Sequence, residues 1–169
     1  MSLAMVADAR GLKQEIELSR GALSGWLTIG SVPTALSYAA QITAALRTDH
    51  PALKVRVLSQ SSTEIAQSLE MFSVDAGVTY KESPLPSAQK VYSIYSERYE
   101  VLAPKDMTHG KATSISWKDA AALPLCLLPH NMMNRRIMDE AFEIAGVAPN
   151  LVTETTAFTA ALVQVISGI

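Results

Sequence analysis

One cysteine, Cys126, stands among 169 residues. No internal disulfide can form from it, and no cysteine pair is available for a zinc site. A basic surplus is missing as well: 14 Lys and Arg face 16 Asp and Glu, for a formal charge of −2. Such a chain has no electrostatic footprint for nucleic acid and is not expected to hold DNA by itself. No apolar run reaches the roughly 18 residues that a membrane span needs, so no membrane partner is expected. There is no G-x-G-x-x-G and no G-x-x-x-x-G-K-[ST], the loops that cradle nucleotide phosphates. Gly21-Ala-Leu-Ser-Gly25 comes near a G-x-S-x-G elbow but sets its serine one position off, which excludes a nucleophile there. His50, His109 and His130 are scattered, with no acidic residue at a telling spacing. No catalytic residue, metal or cofactor is therefore expected. A secretory signal is lacking too, which makes the cytoplasm the expected compartment.

What is present is an ordinary globular composition, 49% apolar and 18% charged, enough for a core in one domain or in two small lobes. Met1-Ser-Leu3 reads as a cloning remnant. Asp8 to Arg20 is charged, with a thin stripe of Leu12, Ile16 and Leu23, as expected of the end of a longer helix whose partner lies elsewhere. Trp26 to Gly30 reads as a strand. Pro33 and Thr34 open a helix that carries Leu36, Ala39, Ala40, Ile42, Thr43 and Leu46 at helical spacing and stops before His50-Pro51. Its apolar stripe is expected to be exposed and to pair with another subunit. Leu53 to Ser59 is a second strand, Thr63 to Phe72 a helix with Ile65, Leu69 and Phe72 inward, and Val74 to Thr79 a third strand. Two β-α-β units in succession imply a parallel sheet.

Lys81 to Gln89 is a loop, Val91 to Tyr95 and Tyr99 to Ala103 are extended, and Ser96-Glu-Arg98 between them is a candidate hinge. Ser116-Trp-Lys-Asp119 then opens a short helix in the manner of a capping box, with Asp in the last place. Leu125 to Leu128 is a strand, Asn134 to Ala145 a helix ended by Gly146, Leu151 to Glu154 a strand, and Thr156 to Ser167 an apolar helix. Gly168-Ile169 reads as the start of a further strand, so the first lobe is expected to be incomplete at its C-terminal side.

The hydroxyl-rich run Ser59-Gln-Ser-Ser-Thr63 falls where the second strand meets its helix. Ser61-Ser-Thr-Glu64 has capping-box spacing, which accounts for Ser61. It leaves Ser62 and Thr63 at the positive end of a helix dipole, a place suited to a carboxylate or other anion. Ligands of parallel α/β sheets sit beyond the carboxyl ends of the strands. Thr34, Ser62, Thr63, Thr79 and Tyr80 all follow such ends. His130 and Asn131 follow a strand end in the second half, with Met132 and Met133 as an apolar wall beside them. Arg135 and Arg136 open the next helix, where a solvated face is expected.

In this order and spacing, Leu27-Thr-Ile-Gly-Ser-Val-Pro-Thr34, Arg47-Thr-Asp-His-Pro51, Val55 to Leu69, Val74 to Tyr80, Ser96 to Pro104, Trp117 to Leu125 and Leu162 to Gly168 resemble the effector-binding domain of the LysR-type transcriptional regulators. The resemblance implies an α/β fold of two Rossmann-like lobes, as in type 2 periplasmic binding proteins. Residues 1–24 would be the remnant and the linker-helix end, 25–97 lobe I and 98–169 lobe II. It implies a small-molecule effector in the cleft, an anion or carboxylate among the classes it could take, held by Thr34, Ser62, Thr63, Tyr80, His130 and Asn131. It implies DNA contact only through a winged helix-turn-helix absent from these residues, and a homodimer or homotetramer. The rival readings are a stand-alone solute-binding protein of the same fold and an enzyme acting on small organic acids.

Overall fold

The computed structural model describes residues 23–83, 85–86, 90–104, 107 and 114–168. The helical reading of Asp8 to Arg20 and the position of His109 lie outside them. The chain divides into two compact units, one running to Val91 and the other starting at Tyr92. No helix among the described residues is long and apolar enough to cross a membrane.

In the first unit β1 (Gly25–Ser31) is the middle strand, with β2 (Leu53–Ser59) on one side and β3 (Ala76–Val78) on the other. Both pairings are parallel, with Ser31 opposite Ser59 in one and Val78 in the other. Three carboxyl ends therefore stop side by side. Antiparallel hairpins would have sent alternate ends to opposite edges; the helical crossovers keep them together. A single turn of 3-10 helix at Pro33–Ala35 leads into α1 (Leu36–Asp49), Pro33 fixing the φ that a helix start requires.

Helix α2 (Ser62–Glu70) is anchored by Ile65, which is fully buried. Gly30 and Gly77 are register partners across β1 and β3, and Ile65 sits on both. A Cβ on Gly77 would lie 2.5 Å from Ile65 Cγ2, and one on Gly30 would lie 3.2 Å from Ile65 Cγ1. The two missing side chains let the helix approach the sheet closely. Ile29, Val32, Ala35, Ile65 and Val78 form the core, with Leu27, Ile42, Val55, Leu69 and Tyr80 packed against it.

Three expectations fail here. Phe72 does not point inward: it follows the end of α2 with φ 54° and is 54% exposed. The chain must reverse immediately to start β3, and the left-handed residue that does so turns its ring outward. The α1 stripe is not a free surface either, because Ala39 is buried and Ile42 packs on the core. The third strand is also shorter than expected, since Asp75 spends its backbone and side chain on β1: its N–H donates to Thr28 O at 2.8 Å, while Asp75 Oδ2 accepts from Thr28 N–H at 2.7 Å.

In the second unit β4 (Leu125–Leu127) and β5 (Leu151–Glu154) form a two-stranded parallel sheet. Helix α3 (Trp117–Ala122) precedes β4, α4 (Met133–Ile144) connects the strands, and α5 (Phe158–Ile166) follows β5. Ser116 caps α3, accepting from Asp119 N–H at 3.1 Å. Asp119 is one methylene shorter than Glu, and its Oδ2 accepts the Ser116 hydroxyl at 2.6 Å. Trp117 anchors this unit edge-on against the buried Phe142, with centroids 5.0 Å apart. Gly146, at φ 69°, ends α4: its N–H donates to Glu143 O and Val147 N–H to Phe142 O, two carbonyls the helix leaves open. Residues 90–104 join neither sheet.

Replacing Gly77 with Ala should push Ile65 off the sheet and lower stability by about 1–3 kcal/mol, the usual cost of overpacking. Urea denaturation checks this, and in an Ile65→Ala background, where Cγ2 is gone, the same replacement should cost less.

Candidate functional site

Three short loops leave the strand ends of the first unit, and backbone bonds tie them together. Val32 N–H donates to Val78 O at 3.0 Å, and Gln60 N–H donates to Ser31 O at 2.9 Å. Helix α2 then starts with a complete capping box. Ser61 Oγ accepts from Glu64 N–H at 3.3 Å, and Glu64 Oε2 accepts from Ser61 N–H at 2.6 Å. The Ser61 amide and then its hydroxyl stabilise the carboxylate, so the Glu64 pKa lies below its ordinary value. The box occupies the N–H groups of Ser61 and Glu64, and those of Ser62 and Thr63 are the ones that a helix start leaves facing outward.

Around that helix start the hydroxyls come together in two sets. Thr79 Oγ1 donates to Ser62 Oγ at 2.9 Å and lies 3.1 Å from Ser83 Oγ. Ser62 and Ser83 are both buried. Thr34 Oγ1 and Tyr80 Oη are 2.8 Å apart. Of the residues expected from sequence, Thr34, Ser62 and Tyr80 thus join this end of the sheet through hydroxyl pairs. Thr63 is exposed at the second position of α2. Ser83 escaped the sequence reading because it lies past Tyr80 in a loop; a turn in which its N–H donates to Tyr80 O at 3.1 Å folds it back.

At the strand ends of the second unit the sequence reading needs a larger correction. Arg135 is not on a solvated face but 3% exposed. Its Nε donates to Asp139 Oδ1 at 2.7 Å, and its Nη1 donates to Glu154 Oε1 at 2.8 Å and to Leu128 O at 3.0 Å. Its Nη2 reaches His130 Nε2 at 3.0 Å. Burial alone would lower the guanidinium pKa; the hydrogen bonds and charges of Asp139 and Glu154 outweigh it and raise the value. His130 is paired with an acid after all, its Nδ1 lying 2.9 Å from Asp139 Oδ2. The nine-residue separation hid this pair, although Arg135 and Asp139 stand four apart on one helix. Asn131 is exposed beside His130. An open depression lined by Pro129, Glu154, Thr155 and Thr156 lies at the same strand ends.

The profile of the family described as LysR substrate binding domain matches residues 20–169. A comparison with curated proteins returned no match. Among solved structures the chain is similar to HinK, a LysR family transcriptional regulator from Pseudomonas aeruginosa, at 18% identity and TM-score 0.70, over 99% of this chain and 62% of that one. It is similar to the effector binding domain of QuiR in complex with shikimate at 14% identity and TM-score 0.64, over 86% and 71% of the two chains. It is also similar to full-length CbnR complexed with its target DNA at 16% identity and TM-score 0.61, over 98% and 58%. The fold is shared at these identities, and the chain spans about three fifths of the length of HinK and CbnR.

Three outcomes follow from the site's hydrogen bonds and charges. Glu64, with its depressed pKa, adds stability that is complete above the unfolded value of about 4.3 and disappears as pH falls through the lower folded value. The stability gap between the native chain and Glu64→Gln should therefore be constant above about pH 5 and shrink below pH 4, while Ser61→Ala costs about 1 kcal/mol at neutral pH; urea melts across pH check both. Arg135→Met, which strands Asp139 and Glu154, should cost about 3 kcal/mol, the lower end for a broken buried pair because Glu154 stays partly exposed.

Proposed function

This chain belongs to the LysR substrate-binding domain family, a regulatory and non-enzymatic one, and we propose that it is the sensing part of a cytoplasmic DNA-binding regulator. Its effector is a small molecule held at the carboxyl ends of the parallel strands. In the first unit Thr34, Ser62, Thr63 and Tyr80 would hold it, and in the second His130 and Asn131. The observation that carries this reading is the gathering of hydroxyls beyond the ends of β1, β2 and β3, at the start of α2. Parallel α/β sheets bind ligands at such ends. The shikimate bound by QuiR, a polyhydroxy carboxylate, has the chemistry that such a gathering suits.

The outward amides of Ser62 and Thr63 offer partial positive charge to one carboxylate or oxyanion. Binding of that ligand would shift the arrangement of subunits and, with it, DNA-binding heads carried on a separate N-terminal domain. The ligand can do so only to the extent that it binds the closed form more tightly. Pairing into a homodimer or homotetramer is supported by α5, which buries none of its residues and leaves Phe158, Val163 and Ile166 exposed.

A thermal-shift screen of organic acids, shikimate and inorganic oxyanions tests the site. At a hundred times its dissociation constant, a ligand of the native form adds about 2.7 kcal/mol. Thr34→Val, Ser62→Ala and Thr63→Ala should each reduce that gain. A gain unchanged in all three removes the site assignment.

A further inference from the structure

The hydrogen bonds around His130 determine how it can meet a ligand. Its Nδ1 lies 2.9 Å from a carboxylate oxygen of Asp139, so that nitrogen must carry the proton. Its Nε2 lies 3.0 Å from Arg135 Nη2, and a guanidinium has only donors to offer, so Nε2 must be the acceptor. Both ring nitrogens are spent inside the protein. Yet the side chain remains 71% exposed. What it presents outward is the face of the ring.

Arg135 is buried and committed to Asp139, Glu154, Leu128 O and His130. Glu154 gives Oε1 to Arg135 and keeps a side chain 42% exposed, lining the depression with Pro129, Thr155 and Thr156. Asp139 and Glu154 set two carboxylates against the one guanidinium of Arg135, so these three side chains carry a net charge of −1. A π face with no free nitrogen, a prolyl ring and an available carboxylate suit a group that is planar, carries N–H donors and bears no negative charge.

We propose that the strand ends of the second unit recognise a planar, conjugated N–H donor group, such as an amidine or an amino-substituted heteroaromatic ring, by stacking on His130 and by hydrogen bonding to Glu154. This rests on the reading that these strand ends belong to the effector site. It assigns to them a part of the effector other than its acid group. His130 then selects shape, and Glu154 selects charge.

Three probes of similar size separate the two requirements: benzamidine is planar and cationic, cyclohexanecarboxamidine is cationic but puckered, and benzoate is planar but anionic. Nuclear magnetic resonance titration of the labelled protein, following the His130 side chain and the Thr155 and Thr156 amides, should show benzamidine binding about tenfold more tightly than either of the others. His130→Phe and His130→Ala lose the same two hydrogen bonds, so any difference between them reports the ring face alone. Phe should retain benzamidine affinity within about twofold, and Ala should lose about tenfold. Glu154→Gln should abolish the preference over benzoate.

Equal loss in the Phe and Ala variants overturns the stacking assignment. Cyclohexanecarboxamidine bound as tightly as benzamidine overturns the planarity requirement, and failure of all three probes to shift these residues overturns the site. Failure here, with Ser62→Ala and Thr34→Val still weakening an acid found in the thermal-shift screen, leaves the sensing function standing. Failure of both sets removes the two readings together.

Discussion

Ile65 seated on the Gly30–Gly77 pair is the contact on which the first unit's geometry turns. Two side chains are missing from adjacent strands at the same level, so a helix can settle onto the sheet closer than a Cβ would permit. Ile65 lies one turn into α2, and its close seating draws the helix start down beside the carboxyl ends of β1 and β3. Ser62 is thereby within 2.9 Å of Thr79, which follows β3. Hydroxyls from separate segments become neighbours because of an apolar contact beneath them. A packing constraint thus sets the positions of the polar groups.

The second unit solves the same problem differently. Among the described residues its sheet has two strands, and no buried isoleucine joins them at the carboxyl ends. A buried arginine does, reaching the carbonyl after β4, the carboxylate at the end of β5, an aspartate on α4 and the imidazole in the loop between. Such a network is costly to desolvate and directional once formed, so it specifies one arrangement of the loop where an apolar contact would tolerate several. Apolar seating and ionic stapling lead to the same result: strand ends whose side chains have little freedom left to lose when a ligand arrives.

How far these features can be read from the amino acids depends on their range. Strands and helices came through almost entire, because β-branched runs, capping serines and Gly146 act within a few residues. Leu53–Ser59 and Leu151–Glu154 match their expected spans, and the Ser61–Glu64 box forms as its spacing implies. Phe72 was misjudged because helical periodicity continues past the residue at which the chain must turn back. Its place three beyond Leu69 fits an inward stripe, but its φ of 54° belongs to the reversal. Arg135 was misjudged for the opposite reason. A cation in the first turn of a helix opposes the dipole and normally stays in water. Only the folded chain shows that Asp139 and Glu154 converge on it.

The hydroxyls gathered beyond the strand ends have divided duties. Ser61 is spent on the helix cap. Ser62 and Thr79 bond each other, as do Thr34 and Tyr80, which consumes donors that a ligand could otherwise use. A hydroxyl that donates still accepts, so each pair keeps capacity for a further partner. On the proposed function, a ligand arriving there would exchange or extend hydrogen bonds and need not strand buried ones. That would limit the gain from any single contact and tie affinity to how many pairs are engaged at once. Selectivity among small polar molecules would then follow from the spacing of the pairs, which the Ile65 seat and the three parallel strand ends hold constant.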